Sequence, residues 1–217
     1  MNESRTISYT CPYCGREFGV EVFDSVIADD SPDLRDRCLS GDLFRVSCPH
    51  CKQEYMVQYP LVYIDRARRF VLFLNENEEL PMMVKNLAET LVKAGYRLRR
   101  TPTLAEFTEK IQIFEDDVDD RLVELAKYDS LIEFIDNKKG SAADVTAIDY
   151  QRTENGVMKI NVRTGDKGMS FLIPLTMIEE ELNMSPERYE LNADFPVVNA
   201  AWLIDLFEPK PDEKSLN

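Results

Sequence analysis

Two short loops in the first quarter of the chain repeat one pattern, Cys11-Pro12-Tyr13-Cys14 and Cys48-Pro49-His50-Cys51. Cysteines at this spacing can turn both sulfurs toward one point, so two such loops can supply the four thiolates of a tetrahedral structural zinc site. Gly15, directly after Cys14, suits the tight turn in which backbone amides soften the thiolate charge. Iron held by four thiolates is a subordinate alternative, because tetrahedral sulfur geometry does not by itself separate the two metals. Either loop alone would also suit a thiol-disulfide oxidoreductase, whose attacking cysteine is exposed and has a lowered pKa at a helix N-terminus. Here Cys14 leads into the β-like alternation of residues 17–23, and Cys51 into Lys52-Gln53-Glu54-Tyr55-Met56-Val57. Neither run opens an amphipathic helix, so the metal reading of Cys11, Cys14, Cys48 and Cys51 takes precedence.

Other residues with chemical potential have plainer readings. His50 is the only histidine, and its place inside a knuckle points it outward. Cys38, the fifth cysteine, is expected to pack as a small apolar residue. Glu115, Asp116, Asp117, Asp119 and Asp120 could hold a divalent cation, but are read as complementing the dipole at the start of a long helix. Arg66, Arg68, Arg69, Arg97, Arg99 and Arg100 would form one positive surface if their strands were neighbours, a possible patch for nucleic acid or an acidic partner. Trp202, beside Leu203 and Leu206, reads as core. No catalytic constellation is present, and no enzymatic activity is expected.

The chain has 217 residues, 44% hydrophobic and 30% charged. No apolar run approaches the roughly 20 residues that span a bilayer. Residues 1–10 are polar with no hydrophobic stretch behind them, so the expected location is the cytoplasm, where thiols stay reduced and paired cysteine loops favour metal over disulfides. The net charge is −14, of which residues 1–74 carry −2, from 9 Lys+Arg against 11 Asp+Glu. Such a field repels phosphate backbones and weighs against non-specific nucleic-acid binding.

The elements that must position the cysteines are strands. Residues 7–10 and 17–23 flank the first loop; 43–46 and 54–64 flank the second, followed by a strand over 69–74. Between the loops, Ser31-Pro32 opens a helix that Gly41 stops, which accounts for much of the 33 residues separating Cys14 from Cys48. Residues 75–80 read as a hinge. Beyond it come a helix over 81–94 with Met83, Val84, Leu87, Leu91 and Val92 on its apolar face, a strand at 96–100, and a helix from the capping box Thr103-Leu104-Ala105-Glu106. A further helix is expected over 115–137. Asn155-Gly156 and Gly165-Asp166-Lys167-Gly168 separate three strands over 145–152, 157–163 and 169–175, an antiparallel meander. Helices over 176–182 and 196–207 and a disordered tail at 209–217 follow. The expected fold is α+β: a zinc-ribbon-like β module over residues 1–74, then an α+β region over 75–208.

The order C-P-Y-C, Ser31-Pro32-Asp33-Leu34, Leu39-Ser40-Gly41-Asp42-Leu43-Phe44, C-P-H-C, Tyr59-Pro60-Leu61-Val62-Tyr63 and residues 109–121 resembles the CpXC domain family, a bacterial family with paired cysteine loops. The resemblance covers roughly residues 8–135. It implies a metal-binding front and supplies no activity. The resulting expectation is a non-catalytic zinc-binding protein whose ribbon and acidic body meet another macromolecule, protein rather than nucleic acid, with no membrane association.

Overall fold

A computed structural model describes residues 4–207 except Pro81, Lys138, Lys139, Glu154, Asn155, Asp166 and Asn192, and the side chain of Met83. The fold is mixed α+β, in two compact units. The described residues of the first unit are 4–117 and 193–197; those of the second are 118–191 and 198–207. Among them, no helix is long and apolar enough to cross a membrane.

The first unit begins with a hairpin of β1 (Ser4–Thr10) and β2 (Glu17–Phe23), followed by a short strand β3 (Ser25–Ile27) and helix α1 (Pro32–Ser40). Pro32 starts α1 where no intrahelical N–H is needed, and Gly41 stops it at φ 77°. A second hairpin pairs β4 (Arg45–Ser47) with β5 (Glu54–Met56). Next come β6 (Leu61–Asp65), β7 (Phe70–Leu74), α2 (Met82–Lys93), β8 (Arg97–Thr101) and α3 (Leu104–Glu115).

The expected single strand over residues 54–64 is two strands in two sheets: β5 pairs only β4, whereas β6 joins a four-stranded sheet ordered β3-β6-β7-β8. Residues 57–60 cannot continue a ladder. Pro60 has no N–H to give, the Val57 amide is donated to the Phe44 carbonyl at 2.8 Å, and the Gln58 side chain binds the Pro102 carbonyl and the Leu104 amide.

The sequence Phe-Val-Leu-Phe-Leu of β7 is buried at every position because this central strand is covered on both faces. Tyr63, Phe70, Phe107 and Phe114 pack ring to ring on the side of α3, with centroids 5.2 to 6.1 Å apart along the chain of contacts. On the other face Val71, Phe73 and Leu98 pack with Ala88 of α2 and with Phe195. Here the expected apolar stripe is corrected: Val84, Ala88 and Leu91 face the sheet, while Leu87 and Val92 are exposed. The small Ala88 at the centre, four residues after Val84 and three before Leu91, allows close approach. The parallel pairing of β8 with β7 places residues 97–101 in the same sheet as β3, β6 and β7.

In the second unit α4 (Asp120–Asp136) is followed by β9 (Ala147–Arg152), β10 (Val157–Thr164), β11 (Lys167–Pro174), α5 (Leu175–Met184) and α6 (Ala200–Phe207). The three strands form the anticipated antiparallel meander with β10 in the middle. Met158, Ile160 and Val162 alternate into its buried face. The expected helix over 115–137 is corrected to one starting at Asp120: α3 runs on to Glu115, and Asp117 takes φ 57°, which no right-handed helix can pass through. The last helix starts at Ala200 rather than at 196, since the Pro196 carbonyl is spent on the Arg100 amide. Pro81, Asn155, Asp166 and the tail at 209–217 lie outside the described residues.

Candidate metal centre

The two hairpins are built alike around their cysteines. Thr10 pairs with Glu17 and Ser47 with Glu54, so each hairpin closes on a loop of the same length. Inside the first loop the Cys11 amide is donated to the Arg16 carbonyl at 3.0 Å and the Gly15 amide to the Cys11 carbonyl at 2.9 Å. Inside the second, the Cys48 amide goes to Gln53 at 3.0 Å and the Lys52 amide to Cys48 at 2.9 Å. The residue after the second cysteine is left-handed in both, Gly15 at φ 69° and Lys52 at φ 63°. Glycine takes that conformation freely, whereas lysine does so against its Cβ.

These turns bring the four sulfurs of Cys11, Cys14, Cys48 and Cys51 within 4.8 Å of one another, a set that could hold a metal ion. Across the loops, Cys11 Sγ lies 3.7 Å from Cys51 Sγ and Cys14 Sγ 3.8 Å from Cys48 Sγ. Cys11 and Cys48 are buried, Cys51 partly so, and Cys14 lies at the surface. Among the described residues no other group of three or more histidine, cysteine or carboxylate side chains gathers in this way.

The electrostatics suit a cation. Burial works to raise the Cys11 thiol, but the amides of Cys14 and Tyr13 and the side chains of Cys48 and Cys14 carry it down to about 6. Cys48 is lowered against its own burial by the amides of Cys51 and His50. Cys51 goes the other way: the Gln53 amide pulls it down, but burial and the sulfurs of Cys48, Cys11 and Cys14 push it up to about 11. Thiolates crowding one point resist further ionisation until a positive charge stands among them.

A family model described as CpXC protein matches residues 9–127, more than half of the chain. The chain belongs to the CpXC family. No curated protein and no solved structure matches it. The matched segment of this CpXC protein holds both cysteine loops, the four-stranded sheet and the first part of α4.

The remaining chemically capable residues of this CpXC protein are dispersed or engaged. His50 is exposed. Cys38 is fully buried, and that burial pushes its thiol up to about 12. The acidic run is split between helix ends: Glu115 closes α3 and accepts two hydrogen bonds from Arg35, both at 2.6 Å, while Asp119 caps α4 through the Arg121 amide. Trp202 is half-buried on α6.

The six arginines do not share one free face. β8 does lie beside β7, but the pleat sends alternate residues to opposite sides. Arg97 and Arg99 lie over the Phe114 ring, at 4.3 and 5.8 Å from its centroid, whereas Arg100 reaches the Asn75 carbonyl. Arg66 pairs with Asp29 and Asp30, and Arg68 with the buried carboxylate of Asp65. Arg69 takes φ 54° in the turn and gives its carbonyl to the Arg97 amide. Sequence reasoning missed Tyr55, whose ring meets Tyr13 of the first cysteine loop at 5.8 Å and stacks on Tyr9 of β1, contacts made across the two hairpins.

Proposed function

We propose that Cys11, Cys14, Cys48 and Cys51 bind one structural zinc ion, which ties the two hairpins together, and that the protein is a non-catalytic interaction module of a reducing cytoplasm. The carrying observation is the sulfur spacing. A tetrahedron with Zn–S bonds of about 2.3 Å has edges of about 3.8 Å, and the two inter-loop edges are 3.7 and 3.8 Å. Iron would use the same cage, and availability favours zinc. The oxidoreductase reading is weaker because both cysteine pairs sit in knuckles between strands, and the most acidified of the buried pair, Cys11, is only 1% exposed. A protein partner is favoured over nucleic acid by the net charge of −14 and by the engagement of the arginines with carboxylates, carbonyls and an aromatic ring.

Elemental analysis of the purified protein should give one zinc per chain, and X-ray absorption four sulfur neighbours at about 2.3 Å. A metal-free preparation that keeps its native fold would defeat the structural role. Affinity capture with the intact chain beside a Cys11→Ser, Cys14→Ser variant tests the interaction role: partners that depend on the ribbon are lost with the metal, and a set unchanged between the two baits would remove the ribbon from recognition.

A further inference from the structure

Among the described residues β11 pairs only with β10, so its outer edge is open. Two hydrogen bonds fix which backbone groups point away from the sheet. The Arg163 carbonyl accepts the Thr146 amide on the β9 side, so Arg163 exchanges no bonds with Gly168 opposite it, and Gly168 turns its N–H and C=O outward. The Leu175 amide, by contrast, is donated inward to the Gly156 carbonyl at 2.9 Å. Alternation along the strand then sends the backbone groups of Gly168, Ser170 and Leu172 outward, where no other described backbone group meets them.

Exposed edges are usually blunted by charge, proline, brevity or a covering segment. At the opposite edge β9 carries Arg152 and Asp149, the latter joined to Arg163. The edge of β8 is covered where the Arg100 amide binds the Pro196 carbonyl. Residues 168–173 of β11 read Gly-Met-Ser-Phe-Leu-Ile, with no ionisable group in a chain that is 30% charged. Met169, Phe171 and Ile173 lie opposite Val162, Ile160 and Met158 of β10, so they extend the core face and are only half-buried there. Leu172, on the other face, is 68% exposed.

We propose that this edge takes the same edge of a second copy, antiparallel about a twofold axis through Ser170, and joins two meanders into one continuous sheet. In that register Gly168 pairs with Leu172 of the second copy, Ser170 with its own counterpart, and Leu172 with Gly168, so every outward donor and acceptor of the three residues is used. Centring on Phe171 instead would oppose Gly168 with Pro174, which has no N–H to give. Centring between two residues would turn one copy's core face to water. The side chains complement themselves in the chosen register. Leu172 covers the bare backbone of Gly168, and Met169 meets Phe171 across the core face, a favourable sulfur–aromatic pairing. Lys167 lies opposite Ile173 and can rest its stem there with the ammonium in water. Two chains of net charge −14 thus meet along a strip that opposes no like charges. One strand's length of edge is small beside a permanent interface, so the dimer is reversible. The inference is independent of the metal centre.

Sedimentation velocity of the full chain over a wide concentration range tests the pairing. Wild type should pass from monomer to dimer, and added salt should strengthen the dimer by screening the repulsion between two acidic chains. Ser170→Pro removes both N–H donors of the central pair while leaving the β10 ladder intact, and should weaken the dimer by about tenfold or more. Leu172→Asp, at a side chain already exposed in the monomer, should weaken it without altering the circular dichroism. The register has its own readout. Hydrogen-bonded partners in an antiparallel pair have Cα atoms about 5.5 Å apart, within disulfide reach, so Ser170→Cys should give a disulfide-linked dimer above the wild-type background under mild oxidation. Leu172→Cys, whose counterpart lies four residues away along the strand, should stay at background. A chain that is monomeric at every concentration and salt overturns the proposal and leaves the edge to a strand of another protein. A dimer undiminished by Ser170→Pro and Leu172→Asp, or one cross-linked equally by the two cysteine variants, overturns it as well.

Discussion

The near-identity of the two knuckles makes a quantitative test possible at the one position where they differ in backbone cost. Gly15 and Lys52 occupy equivalent places with φ of 69° and 63°. A side chain in that left-handed region costs about 1–2 kcal/mol, whereas glycine has the disadvantage of about 0.5–1 kcal/mol in chain entropy. A methyl group added at Gly15 would meet no heavy atom within 4 Å, so Gly15→Ala reports the backbone preference without a clash. The expected loss is about 1 kcal/mol. Lys52→Gly should do the reverse, with a gain of about 0.5 kcal/mol. On the proposed metal reading the knuckle and its ion form together, so these differences enter metal affinity, where 1 kcal/mol is about fivefold in Kd. Competition with a chromophoric chelator at fixed pH and salt would therefore rank Lys52→Gly tightest, wild type next and Gly15→Ala about fivefold weaker than wild type. Equal affinity for Gly15→Ala and wild type, or clear weakening by Lys52→Gly, would refute the claim that both turns form around the metal in their left-handed geometry.

Two further predictions concern the body of each unit. Burial and then the charge of Glu181 raise the Asp129 carboxyl to about 6. Below about pH 4 that carboxyl is protonated in the folded and the unfolded chain alike and contributes no difference; as pH rises the unfolded chain ionises first, so stability falls until about pH 6 and then levels. Asp129→Asn should remove this slope and stabilise the second unit at pH 8 by about 1–2 kcal/mol, less than the full shift implies because the half-buried side chain is partly screened. The fluorescence of Trp202, the only tryptophan, followed in urea at pH 4.5 and pH 8 reads the difference, and an equal effect at both values would contradict it. In the first unit, Arg35→Ala leaves Glu115 without its bidentate partner at 11% exposure. A fully buried pair broken this way costs about 3–5 kcal/mol; with Arg35 itself 30% exposed, thermal unfolding should show a loss of about 2 kcal/mol, and a loss below 0.5 kcal/mol would place this pair among the inconsequential surface bridges.

The cysteine centre, the antiparallel meander and the start of α3 were legible along the chain because each is specified locally. Two C-P-x-C loops fix the ligand spacing covalently. Strand alternation marks Met158, Ile160 and Val162 as one face, and the capping box at Thr103 and Glu106 closes within four residues. By contrast, the apolar run that became β7 could not announce that it is a central strand, since continuous hydrophobicity says only that both faces are covered. The break at Asp117 was hidden for a related reason. An acidic run is compatible with the start of a helix, and the left-handed residue that separates α3 from α4 carries no glycine to mark it.

What the amino-acid order determined unaided was the donor chemistry: four thiols in two turns, with strands on either side. What the tertiary structure alone decided was which side chains stand around them and which charges remain free. Tyr55 meets Tyr9 and Tyr13 through the docking of one hairpin on the other. The arginines of β8 are divided by the pleat and occupied by neighbours distant in sequence. Both outcomes depend on contacts between segments tens of residues apart, and a one-dimensional pattern carries periodicity and spacing but not the identity of the surface that a given face will meet.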